Sequence, residues 1–179
     1  MDASELAQWY ERGRRDFSRT YLRNAEMSGF ELPQADLSGS DLTGANLVSA
    51  ELAGIDLSGA DLTEANFQWA KLPGANLAGA KLQKTMLEGA DLTGANLEGA
   101  DLTSADLTNA IMTGANLRGA NMREADMYGA VLNKADLTGA DVTGADFRIT
   151  HLAENTTFNW EMFKAVKSGA GCDLPPDFG

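Results

Sequence analysis

Every fifth residue from Phe17 to Leu152 is a large apolar side chain, without a slip across 28 consecutive sites: 20 Leu, three Phe, four Met and one Val. Two residues before each of these large sites lies a small site, which is Ala at 21 of 28 positions. An α-helix cannot use this period, because positions five apart advance about 140° around its axis and would scatter the leucines over every side. Extended chain can. There, residues two apart share a face, so the Ala and the Leu point inward and the residue between them, at the outward site, points away. The odd fifth residue would invert the next unit unless the chain turns a corner. Two residues after each large site is a corner site, Gly at 15 of 28 positions, and Gly relieves the steric cost of a bend. Repeated corners close a coil, and successive coils stack at strand spacing.

The units ANLAG, ADLTG, ANLEG and ANLRG resemble the A(D/N)LxG consensus of the pentapeptide-repeat family, over roughly residues 15 to 154. That resemblance implies four pentapeptides per coil in an all-β solenoid, a right-handed quadrilateral parallel β-helix. The sequence supports a twenty-residue coil independently. Gly recurs at 39, 59, 79, 99, 119 and 139, whereas the set Asn24, Gly44, Glu64, Lys84, Ser104, Glu124 and Gly144 has only two glycines. The predicted organisation is a helical cap over 1–14, a β-helix of about seven coils over 15–154, roughly 34 Å long at about 4.8 Å per coil, and a helix and tail over 155–179.

Both ends of such a rod leave strand edges that need covering. At the first, Asp2 and Glu5 form a capping-box pattern, Leu6, Trp9 and Tyr10 share a helical face, and Gly13 can end the helix. The opening SELAQWYERGRRDF resembles the leader common in cyanobacterial members of the family. At the other end, Asn159 can cap a helix over about 160–167 closed by Gly169. Its apolar residues Trp160, Met162, Phe163 and Val166 lie on more than one face, and serve either as a complete cap or as the seam of a homodimer.

Composition narrows the function. No apolar run approaches the roughly 20 residues of a membrane span, and the polar start lacks the apolar stretch of a secretory signal, so a cytoplasmic protein with no membrane partner is expected. Acids outnumber bases by 26 to 14, and a net charge of −12 disfavours direct binding to nucleic acid. The single cysteine, Cys172, allows no internal disulfide, and the single histidine, His151, falls at an outward site. Neither has a predictable catalytic neighbour, the Gly-containing units are corners rather than phosphate loops, and a Leu/Ala interior leaves no room for a cofactor. The expected protein is not an enzyme. It holds no cofactor or metal, since acids on a convex surface diverge and a calcium ion needs converging oxygens.

Two surfaces remain as candidates. The outward sites carry Asp or Glu at 15 positions and Asn at six, which can bond to backbone at the corners and solubilise the rod. Some pentapeptide-repeat proteins are acidic rods that occupy the DNA site of type II topoisomerases and protect DNA gyrase, and the resemblance makes DNA mimicry the alternative here. Its best segment runs from 24 to 70, where Glu26, Glu31, Asp36, Asp41, Glu51, Asp56, Asp61 and Glu64 occur with no Lys or Arg. Over residues 15–154 the net charge is −10, from 20 acids and 10 bases, against about 20 phosphates in duplex DNA of equal length. The second surface is apolar: Val48, Trp69 and Met86 fall on one predicted side in consecutive coils, where polar residues are the rule. Clustered Trp and Met mark protein interfaces, although Trp69 can equally lie flat across a corner. The leading expectation is a structural or protein-binding scaffold with an unknown protein partner.

Overall fold

The computed structural model describes residues 1–152, 156 and 157. Its backbone is organised by parallel bridges between outward sites. Twenty-four of the 25 join residues twenty apart, from Asp16 with Asp36 to Val131 with His151. Four pentapeptides therefore return the chain to the same place one coil on. The large sites of the four sides run 17, 37, 57 and onward on side one; 22, 42, 62 on side two; 27, 47, 67 on side three; and 32, 52, 72 on side four.

Within one unit all five backbone N–H groups find acceptors, which explains the five-residue motif. In the unit around Leu97, the Leu97 N–H donates to Asn116 O at 2.7 Å and the Gly99 N–H to Arg118 O at 2.9 Å, both in the next coil. The Asn96 N–H donates backward to Ala75 O at 2.8 Å, and the Ala100 N–H closes the turn on Leu97 O at 3.0 Å. The fifth, from Glu98, goes to Asn96 Oδ1 at 3.2 Å. Every described corner site from 19 to 149 has positive φ, and twelve of them are not glycine. This matches a turn whose left-handed third residue favours Gly without requiring it.

The interior is a column of Leu, Ala, Phe and Met, with Leu97 and Leu117 at 0% exposure and Leu77 at 2%. Where Ala gives way to a hydroxyl residue, the hydroxyl is used: Thr85 Oγ1 donates to Leu62 O at 2.9 Å and Thr150 Oγ1 to Met127 O at 2.8 Å. No buried side-chain N or O lacks a partner among the described residues. An unpaired polar group there would cost roughly 1–3 kcal/mol.

Helix α1 spans Ala3–Glu11 and begins with the capping box, Asp2 accepting from the Glu5 N–H at 2.8 Å and Glu5 from the Asp2 N–H at 3.0 Å. Leu6 is fully buried against the core, and Tyr10 packs beside it with its hydroxyl donating to Pro33 O at 2.8 Å. Trp9 does not join them. It is 45% exposed, with the Arg12 guanidinium 5.2 Å from its ring centre, while Leu6 and Tyr10 occupy the end of the core. At the far end the register slips once: Asp136 bridges Thr157, 21 residues away, and Thr156 takes the small site with its Oγ1 donating to Leu132 O at 2.8 Å. The segment containing Trp160, Met162, Phe163, Val166 and Cys172 lies outside the described residues.

Candidate functional site

Only the outward site, the corner site and the position between the large site and the corner, called the following site, are available to a partner, so the surface is read from those columns. All 18 Asp and Asn residues at described outward sites accept the N–H two residues later, at 2.8 to 3.3 Å. The three glutamates at such sites, Glu26, Glu31 and Glu51, form no bond of this kind among the described residues; one extra methylene carries the carboxylate past the N–H. The acids thus have a backbone task before any partner is considered. Where a hydroxyl or a cation joins the backbone N–H, the carboxyl's affinity for protons falls. For Asp136 and Asp141 the Thr138 and Thr143 hydroxyls, the backbone N–H and the Arg118 and Arg123 guanidiniums hold the carboxyl below its usual range against partial burial. At Asp41 and Asp61 burial is the largest single influence and opposes the shift, but the threonine hydroxyl, the N–H and the cation together outweigh it.

A depressed folded-state value means stability that is present above the unfolded carboxylate value of about 3.9 and is lost as pH falls through the folded one. The urea midpoint should therefore hold between pH 7 and 5 and drop by pH 3. Asp141→Asn, which keeps the amide oxygen as acceptor, should lose its share of that drop. A midpoint that stays level down to pH 3 would show that these bonds do not favour the ionised form.

The eight acids of the 24–70 segment do not form one face. Asp36 and Asp56 lie on side one, Asp41, Asp61 and Glu64 on side two, Glu26 on side three, and Glu31 and Glu51 on side four. Half of them are paired with bases from the neighbouring coil: Asp41 with Arg23 at 3.2 Å, Glu51 with Lys71 at 2.7 Å, Asp61 with Lys81 at 3.2 Å and Glu64 with Lys84 at 3.6 Å. A linear window free of bases is thus not a surface free of bases, since spatial neighbours stand 18 or 20 residues apart in sequence.

Val48, Trp69 and Met86 do share side three, but at three different places within their units. Trp69 occupies a corner site with φ 61° and is 57% exposed; Met86 is 38% exposed and Val48 half-buried. The indole lies over Gly89 of the next coil, where an added Cβ would overlap ring carbons Cε3 and Cζ3. It leans away from Val48. Sequence reading missed five further departures from the polar rule: Tyr21, Ile111, Tyr128 and Ile149, 80, 42, 39 and 41% exposed, and the half-buried Val131. The signal that could have found them is the one that found Trp69, applied to every outward, following and corner column.

His151 is exposed at an outward site, its backbone N–H donating to Ala130 O at 2.8 Å. Among the described residues no group of three His, Cys, Asp or Glu converges to hold a metal ion, and no helix is long and apolar enough to cross a membrane. Two open hollows, of about 490 and 460 Å³, lie where α1 meets the first coil, beside Tyr21 and Phe30.

No curated protein matches the chain. Among solved structures it is similar to HetL of Nostoc sp. strain PCC 7120, a protein involved in heterocyst differentiation regulation, with 28% identity, 84% of this chain and 94% of that one covered, and a TM-score of 0.39. A pentapeptide repeat protein of the Arabidopsis thaliana thylakoid lumen gives 37% identity over 59% of this chain and 70% of its own, with a TM-score of 0.38. QnrB1, a plasmid-mediated fluoroquinolone resistance protein, gives 15% identity over 83% and 92%, with a TM-score of 0.40. The model of the Pentapeptide repeats family matches eight copies over residues 16–52, 40–79, 74–109 and 110–148. With its repeat unit matched over most of its length, this chain belongs to the pentapeptide-repeat family.

Proposed function

We propose that the chain is a non-enzymatic, protein-binding scaffold: a right-handed quadrilateral rod of about seven coils, closed by α1 at one end and by the helix over about 160–167 at the other. One observation carries the reading. The interior is filled by Leu, Ala, Phe and Met, and the backbone donors are consumed within and between coils, so outward side chains are what the molecule offers. Among these, exposed Trp is a residue type that supplies binding energy in protein interfaces, and Met is enriched there. Trp160, Met162, Phe163 and Val166 complete the proposal as a cap or homodimer seam.

The test pairs capture of proteins from a cyanobacterial lysate with a gyrase supercoiling assay on the purified protein. The expected result is one specifically retained protein, lost with Trp69→Ser and Met86→Ser together, and unchanged supercoiling. Inhibition or protection of gyrase at micromolar protein or below would instead establish the acidic DNA-mimic alternative. The ion pairs of Asp41, Glu51, Asp61 and Glu64 count against that outcome, because they neutralise half of the segment that would imitate phosphates.

A further inference from the structure

We propose that the corner between sides three and four, from Trp69 to Ile149, is a docking strip for a basic amphipathic helix of a partner protein; the proposal rests on the scaffold reading and specifies the partner's chemistry. The corner column runs Trp69, Gly89, Asn109, Gly129, Ile149. Beside it on side four, parallel bridges stack Ile111 on Val131 and Val131 on His151. Gly129 is the one buried glycine among the described corner sites: the Asn109 side chain approaches from one coil, and Ile149 Cδ1 from the other, 3.8 Å from where a Cβ would stand. Ile149 keeps a β-branched side chain at φ 49°, a conformation glycine would hold without strain. The four coil steps from Trp69 to Ile149 span about 19 Å, the rise of about 13 helical residues.

Charge selects the partner. On the side-three flank of the strip, bridges stack Asp106, Asp126 and Asp146 in a continuous column. Arg148 holds Asp146 at 2.6 Å and also attracts Asp126, which, like Asp106, has no base within 4 Å among the described residues. Cations on one flank of an apolar helix would meet this column. A second copy would set aspartates against aspartates if the two-fold axis ran across the rods, and against the apolar Ile111 and Val131 column if it ran along them, and neither contact supplies cations to the column. The last described residue, Thr157, stands on side one, across the rod from the Asp106 to Asp146 column. An added strand is disfavoured as well, because the backbone groups of the side walls are already bonded between coils, so the occupant must satisfy its own backbone as a helix does.

The test uses the full chain carrying Trp9→Phe and Trp160→Phe, which leaves Trp69 as the only indole. The probe is a labelled leucine–lysine peptide of about 14 residues with leucines at helical spacing, compared with a peptide of the same composition and scrambled order. The expected result is saturable one-to-one binding of the patterned peptide with a blue shift of Trp69 emission. Ile111→Thr, Val131→Thr and Ile149→Gly together should weaken it at least about tenfold. Asp106→Asn with Asp126→Asn, which keeps the backbone acceptors, should weaken it and flatten its salt dependence. Tyr21→Ser on side two should leave it unchanged, and circular dichroism confirms that each variant is folded. Equal binding of the scrambled peptide, no saturable binding, or an unaltered affinity in the folded triple variant would overturn the proposal. So would a Trp69 already blue and closed to iodide in the free monomer, which would mean that the chain covers its own strip. A lysate partner retained by the triple variant would sink this strip while leaving the scaffold reading intact.

Discussion

Leu97→Ala should lower the unfolding free energy by about 2–5 kcal/mol, while Thr93→Ala, four residues away, should cost less than about 0.5 kcal/mol. Leu97 is fully buried, and its column neighbours Leu77 and Leu117 are held from both directions by the backbone bonds of adjacent coils. The cavity cannot be filled by a local shift without stretching bonds such as that from the Leu97 N–H to Asn116 O. Thr93 is exposed, and its contribution to the turn is a backbone N–H donated to Asp91 Oδ1 at 3.0 Å, which alanine retains. Urea unfolding of the two variants beside the parent measures the difference. Similar midpoints would mean that the five-residue register assigns inside and outside wrongly.

That register was the most legible part of the chain. One large and one small apolar residue in every five leave no alternative periodicity, so the inward positions and the corners could be read directly. Lys84 illustrates where reading stops. In the sequence it stands beyond the base-free window of 24–70, yet in the fold it faces Glu64 at 3.6 Å, because a solenoid converts a separation of twenty into contact. Stacking likewise pairs Arg123 with Asp141, 18 residues on, at 3.1 Å and builds the Asn76, Asn96, Asn116 ladder, with amide bonds of 3.3 and 3.0 Å between coils. None of this follows from windows of adjacent residues. All of it follows once the twenty-residue coil is used as the unit of reading. The slip before Thr156 has a different origin. In strict register the next small site would be Asn155; Thr156 takes it instead, buried with its hydroxyl donating to Leu132 O, a use of Thr already seen at Thr85 and Thr150.

Gly89→Ala should destabilise the rod by about 2–3 kcal/mol, against about 1 kcal/mol for Gly99→Ala. Both glycines have φ 64°, so both substitutions force alanine into the left-handed region at a similar cost. They differ in what stands one coil earlier. Nothing lies within 4 Å of a Cβ added at Gly99, whereas one added at Gly89 would meet the Trp69 ring edge. The indole would have to leave the corner and expose its buried face. Trp69→Gly should therefore remove the excess, leaving Gly89→Ala no costlier than Gly99→Ala, and a double-mutant cycle would read the coupling directly. Gly44 and Gly129 repeat the arrangement, receiving the Asn24 and Asn109 side chains from the coil before. A bulky corner residue followed by glycine twenty positions later thus behaves as one structural unit. Trp69 is then fixed in orientation by Gly89 and stays largely open to solvent, a preorganised aromatic face that a docking helix meets at little entropic cost. A cycle showing no coupling between positions 69 and 89 would mean that the indole is free of the corner, and would remove that preorganisation from the docking strip.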